Sequence, residues 1–249
     1  MPACAMVPTG VIYWLKNALY VGLTNRTRGL SLVASRGPGF AMPAASGFAP
    51  LAAEPSVDDV VAAIYDAYDH DERKKALGQD VGRTQRADGG ATDPGVVFAG
   101  LGDPLLRWRD VAAIAERVYA RHPVPLRLNT NGLLPPGDDP ADVAAALRAA
   151  RVSHATVALN AADPAAYEAL MLAPPPWAPA YHAAAADAVG DVAGASFGDA
   201  CGFVAALAEA DVEVTVSCVA APVTADVAAV RQLALALGAV GVKERPFLE

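Results

Sequence analysis

The residues with chemistry to offer gather in four short loops of this sequence. In "GLGDPLL", Gly100 and Gly102 would let a ligand approach the backbone closely, and Asp103 would present a carboxylate to an ammonium group. The same aspartate suits a helix N-cap, with Pro104 as the first helical residue. "NTNGL" offers the amides of Asn129 and Asn131, and "LNAADP" that of Asn160. Each can donate to a ribose or a carboxylate, while Asn131-Gly132 equally makes a turn. "NRTRGLSLVASRGPGF" carries Arg26, Arg28 and Arg36 among Gly29, Gly37 and Gly39, a composition able to hold phosphate or carboxylate or to stand as a solvated basic loop. Arg26, Arg36, Asp103 and Glu213 together would suit an enzyme acting on an anionic small molecule. His70, His122, His154 and His182 are scattered and form no metal triad, and no Ser/His/Asp arrangement carries recognisable local signals.

Composition narrows the setting. The 249 residues can bury a large core as a single domain. The 54% hydrophobic fraction comes largely from alanine, and no apolar run reaches the roughly 18 residues of a membrane span. A net charge of −8 without a basic stripe argues against nucleic acid as a partner and for a small-molecule ligand or a protein partner. "MPACAMVPTG" lacks the pattern of a signal or transit peptide, so the expected location is cytoplasmic. Cys4, Cys201 and Cys218 are odd in number and far apart, which gives neither a disulfide framework nor a metal-ligand spacing. Cys201 fits the core stripe of a helix and Cys218 the apolar face of a strand.

Six β-like runs must position those loops: 18–23, 95–100, 125–130, 154–160, 212–219 and 239–243. Helical periodicity separates them, as in Val60, Val61 and Ile64, or Val111, Ile114 and Val118. Ser56 and Thr224 read as N-caps. Strand and helix in alternation predict a parallel α/β sheet with right-handed crossovers. Buried parallel strands are ordinarily apolar on both faces. Here Arg127, Asn129 and Asn131 share one face of their strand, Thr156, Ala158 and Asn160 one face of the next, and Glu213, Thr215 and Ser217 one face of another. A repeated polar face predicts a solvated barrel or partial barrel, with chemistry at the C-terminal strand ends. Segments 70–95 and 173–195 read as flexible insertions.

The four loops "LTNR", "AGLGDPLL", "NTNGL" and "LNAADP", in this order at the ends of successive strands, resemble the radical S-adenosylmethionine (SAM) superfamily and within it the TatD-associated radical SAM proteins. The resemblance spans about Ile12 to Phe247. It implies a partial (β/α)6 TIM-like barrel of the radical SAM core type, a 4Fe-4S cluster on a CxxxCxxC loop, and SAM held beside it, with Gly100, Gly102 and Asp103 at its amino group and Asn129, Asn131 and Asn160 along the pocket. The aspartate stands where the family usually has glutamate, one methylene longer. The positions the family gives to cysteine hold Thr27, Ser31 and Ala34, with the spacing unchanged. Hydroxyls are harder and ionise far less readily than thiols, and alanine has no donor. The sequence therefore points to a radical SAM-fold protein that has lost its cluster and serves as a SAM-binding or scaffolding pseudoenzyme. An active radical SAM enzyme and a barrel enzyme without SAM are the alternatives.

Overall fold

The computed structural model describes residues 9–15, 18–70, 84–85, 91–92, 94–173, 189–190, 192–220 and 222–249. Most of the two expected insertions therefore lies outside the described residues. In chain order the elements are β1 (Ile12–Leu15), β2 (Ala18–Val21), β3 (Thr27–Arg28), α1 (Val57–His70), β4 (Thr84–Gln85), β5 (Ala91–Thr92), β6 (Val96–Phe98), α2 (Trp108–Arg121), β7 (Leu126–Thr130), α3 (Pro140–Ala149), β8 (Val152–Ala158), α4 (Pro164–Tyr167), β9 (Val189–Gly190), α5 (Phe197–Glu209), β10 (Glu213–Val219), α6 (Val227–Ala236) and β11 (Gly241–Arg245).

Seven strands form one sheet in the order β1-β2-β6-β7-β8-β10-β11. The six from β2 to β11 run parallel, at or within two residues of the six apolar runs of the sequence, and β1 adds an antiparallel edge to β2. That edge strand, "IYWL", is an addition to the expected six. Tyr13 ties it to the sheet by donating to the Ala99 carbonyl at 3.2 Å. Two short pairs stand apart, β3 with β9 and β4 with β5.

Alternation along the strands decides which face is covered. Leu19, Val21, Phe98, Leu126, Leu128, Val157, Val214 and Val216 pack into one apolar cluster with Val60, Ile64, Ile114, Val118, Leu147, Val204 and Leu207 of the helices. The opposite face carries Tyr20, Arg127, Asn129, Thr156 and Thr215, all only half-buried. β1 and β2 stand at one end of the sheet and β11 at the other. Tyr13 and Tyr20 nevertheless line the same cavity as Lys243 and Arg245. The sheet thus curls into a partial barrel without closing, with its polar face inward.

The helix starts follow the capping rules, with one correction. Ser56 accepts from the Asp59 amide at 3.1 Å, as expected. For α6 the cap is Asp226, which accepts from the Ala229 amide at 2.8 Å. Thr224 is buried two residues earlier, and its hydroxyl has no hydrogen-bond partner among the described residues. No helix among the described residues is long and apolar enough to cross a membrane.

Candidate functional site

The turn after β6 is built around Asp103. This side chain is buried and caps the short helix Pro104–Arg107 by accepting from the Leu105 amide at 2.9 Å. It also accepts from the Thr130 hydroxyl at 2.8 and 2.9 Å and from the Asn131 amide at 2.7 Å. Burial pushes its carboxyl up to about 6, against the pull of those three donors. Asp103 therefore clamps the end of β7 to the turn after β6, and its acceptor capacity is largely used there. Gly102 is equally committed to the protein. Its amide donates to the Thr24 carbonyl at 3.2 Å, and a Cβ there would lie 2.2 Å from the Arg26 carbonyl oxygen. The backbone that approaches Gly102 closely is the chain's own. Gly100, Gly102 and Asp103 all border the cavity.

The loop after β2 is knitted from within. Thr27 is fully buried; its hydroxyl donates to the Gly29 carbonyl at 3.2 Å and accepts from the Asn131 amide group at 3.3 Å. That amide also donates to the carbonyls of Arg28 and Leu30, while the Asn131 side-chain oxygen takes the Leu133 amide at 3.1 Å. Ser31 borders the cavity and accepts from the Ala34 amide at 3.2 Å, and Ala34 puts its methyl into the apolar core. Asn160, with φ at 57°, accepts from the Val219 amide at 2.9 Å and donates to the Met171 sulfur at 3.2 Å. Asn131 and Asn160 thus hold loops, whereas Asn129 lines the cavity and makes no side-chain hydrogen bond among the described residues.

The three loop arginines part company. Arg26 pairs with Glu54 at 2.9 Å on the surface. Arg28 is buried and donates to the Leu134 and Ala193 carbonyls. Only Arg36 reaches the cavity, where it stacks 4.6 Å above the Phe40 ring and donates to the Pro246 carbonyl at 3.1 Å. Glu213 lies at the other end of its strand beside His154, 3.4 Å away. The segment after β11 runs along the loop: the Leu248 amide donates to the Arg36 carbonyl at 2.8 Å, and the Gly39 amide to the Leu248 carbonyl at 3.0 Å.

These residues do not fit an iron–sulfur cluster. None of Thr27, Ser31 and Ala34 offers a soft donor, and two of them are occupied as hydrogen-bonding hydroxyls. Cys201 on α5 and Cys218 on β10 are buried elsewhere. Burial pushes the first thiol up to about 11 and also raises the second, so both stay protonated. Among the described residues no group of three His, Cys, Asp or Glu is placed to hold a metal.

What remains is a cavity of about 500 Å³ at the open side of the barrel. Its wall joins an aromatic side, with Tyr13, Trp14, Tyr20 and Phe40, to a basic side with Arg36, Lys243 and Arg245. Burial pushes the Tyr20 hydroxyl up, and Arg245 and Arg127 partly offset it. Sequence reasoning missed the basic contribution of β11. The signal was there in "GVKER", where Lys243 and Arg245 alternate onto the face that Ser217 and Val219 share.

No family model matches the sequence, and no curated protein does. Solved structures do. The FeFe-hydrogenase maturase HydG from Carboxydothermus hydrogenoformans superposes with a TM-score of 0.52 at 13% identity, over 92% of this chain and 44% of that one. The chain has the radical SAM fold. Its open, mostly parallel sheet corresponds to the partial TIM-barrel core of those enzymes. A second HydG structure matches at 0.48 and 10% identity, over 92% of this chain and 42% of that one. A radical SAM methyltransferase from Sphaerobacter thermophilus matches at 0.43 and 14% identity, over 94% and 68%. This radical SAM-fold chain spans less than half the length of the HydG chains.

Proposed function

We propose that this chain is a pseudoenzyme with the radical SAM fold, of the TatD-associated type, that carries no cluster and works by binding a small anionic molecule in its partial barrel. The observation that carries the reading is the loop after β2. Thr27 and Ser31 spend their hydroxyls on neighbouring backbone and Asn131, and Ala34 fills core space. Without thiolates at these positions the loop has no means of chelating iron.

The charge of the cavity speaks for an anion over SAM. SAM brings a sulfonium and an ammonium, against one carboxylate. Asp103, the one acidic residue on the wall among the described residues, is already shared by three protein donors, while Arg36, Lys243 and Arg245 border the same space. Retained SAM binding is the second reading, favoured by Gly100 and Asn129 on the wall. Of the residues that would serve a catalytic barrel acting on an anion, Arg26 and Glu213 are paired outside the cavity, which favours binding over turnover.

Anaerobic reconstitution with iron and sulfide tests the reading. The expected result is no stoichiometric iron and no broad visible absorption. About four irons per chain, as a family-type cluster would give, would overturn it.

A further inference from the structure

One guanidinium group on the cavity wall has no acceptor. Arg245, the last residue of β11, borders the cavity and is half-buried, and its side chain makes no hydrogen bond or ion pair among the described residues. Burial pulls its pKa down from the ordinary value, and Tyr20 partly offsets this. Arginines withdrawn from water are normally paired, because a desolvated cation without a counter-charge is costly. The other two cations of the wall are placed differently. Lys243 is exposed to water, while Arg36 lies over the Phe40 ring and donates its Nε–H to the Pro246 carbonyl at 3.1 Å. That bond seats the Arg36 head beside the residue that follows Arg245, so the two guanidinium groups share one rim. Glu244 alternates to the opposite face, and Asp103 is spent on Leu105, Thr130 and Asn131. No carboxylate on the wall is left to answer Arg245 among the described residues. Tyr20 borders the same cavity with a hydroxyl that makes no hydrogen bond among them. Trp14, Leu32, Phe40 and Met42, all half-buried, give much of the remaining wall an apolar surface.

We infer that the cavity holds a carboxylic acid with an apolar body and no amino group, its carboxylate received by Arg245 with Tyr20 donating and its body against Trp14, Leu32, Phe40 and Met42. A single open guanidinium fork matches one carboxylate in charge and in planar geometry. An amino acid would add an ammonium group, for which the wall has no open carboxylate. A cavity of about 500 Å³ suits such a ligand, since small-molecule pockets span about 300–1,000 Å³. This inference rests on the reading of the barrel as a binding site for an anion and names its ligand class.

Calorimetric titration of the full chain at neutral pH tests it, with hydrocinnamate and with octanoate, which share the carboxylate and differ in the body. At least one should bind, and the tighter of the two tells whether the body is aromatic or aliphatic. The matching amides, hydrocinnamide and octanamide, and L-phenylalanine should each bind about tenfold or more weakly than the acid, as loss or miscompensation of a charged hydrogen bond does. Arg245→Gln should weaken the acid by about as much and erase its advantage over the amide. Arg245→Lys should recover only part, because an ammonium has no fork. Arg245→Gln should leave the melting temperature of the ligand-free protein no lower, because it removes a desolvated charge without a counter-ion. If the Arg245 variants fail to fold, Tyr20→Phe decides, with an expected loss of about threefold for the acid and none for the amide. Neither acid binding, an amide or L-phenylalanine matching its acid, or an Arg245→Gln protein that binds the acid like the parent would each overturn the inference. Phenethyl phosphate binding more tightly than hydrocinnamate would overturn it too, while leaving the proposed function in place. Iron content reads separately: a cluster together with acid binding that depends on Arg245 would sink the proposed function alone.

Discussion

Gly102→Ala is expected to destabilise the protein by about 3 kcal/mol or more, combining overpacking with two lost backbone hydrogen bonds. The added Cβ would lie 2.2 Å from the Arg26 carbonyl oxygen, 2.5 Å from the Asn25 carbonyl carbon and 2.6 Å from the Arg26 nitrogen. All three are backbone atoms, so no side chain can swing aside. Relief requires the turn after β6 to part from the segment after β2. That would break the bonds from the Gly102 amide to the Thr24 carbonyl, 3.2 Å, and from the Asp103 amide to the Arg26 carbonyl, 2.8 Å. At about 2–4 °C per kcal/mol for a domain of this size, the melting temperature should fall by roughly 10 °C. Gly202→Ala is the control. It sits within α5 with nothing within 4 Å of where the added methyl would stand, and alanine there should stabilise by about 0.5–1 kcal/mol. Equal melting temperatures for the two variants would mean that the close approach at Gly102 is not what holds the turn.

The same crossing explains how much of the site was legible. A period of two along "PLRLNTN" and "VEVTVSC" sorts residues between an apolar and a polar face, and that sorting is local. The apolar set lies against the helices and the polar set inside the barrel. β1 escaped because four residues with no polar partner face give no alternation to read, and its pairing is set by the hairpin with β2. The strand-end residues were a harder matter. Asp103, Asn131 and Asn160 sit where ligand-binding residues sit in barrels, yet each has its polar atoms taken by backbone from another loop. Sequence order says which loops share an end of the sheet. It does not say which of them lean on one another, because that depends on how far the sheet curls. The meeting of Tyr20 with Arg245, from strands separated by nearly the whole chain, is a product of that curl. So is the basic side of the cavity, which joins Arg36 of the first loop to Arg245 of the last strand.

Asp103→Asn should be costly, and its cost should depend on pH in a direction fixed by the network. In the parent, one carboxyl oxygen takes the Leu105 amide, the other takes the Asn131 amide, and the Thr130 hydroxyl lies 2.8 and 2.9 Å from the two. Asparagine keeps one acceptor oxygen and turns an NH2 toward a backbone N–H. One buried donor then goes unsatisfied, at about 1–3 kcal/mol. The pH term adds to this. Burial holds the Asp103 carboxyl at about 6, above its ordinary 3.8, so the folded chain binds this proton more tightly than the unfolded one. The protonated form avoids burying a charge, and Thr130 can turn to accept the acid proton while both amides keep their acceptors. The stability this gives is complete below about pH 4 and is lost as pH rises to about 6, a span worth on the order of 3 kcal/mol. Asparagine does not titrate. The gap between parent and variant, measured by denaturant unfolding, should therefore be widest near pH 4 and narrower at pH 7. A gap that widens as pH rises through 6 would mean that the three donors outweigh burial. Asp103 would then sit in the protein as a hydrogen-bonded anion at every pH where it folds.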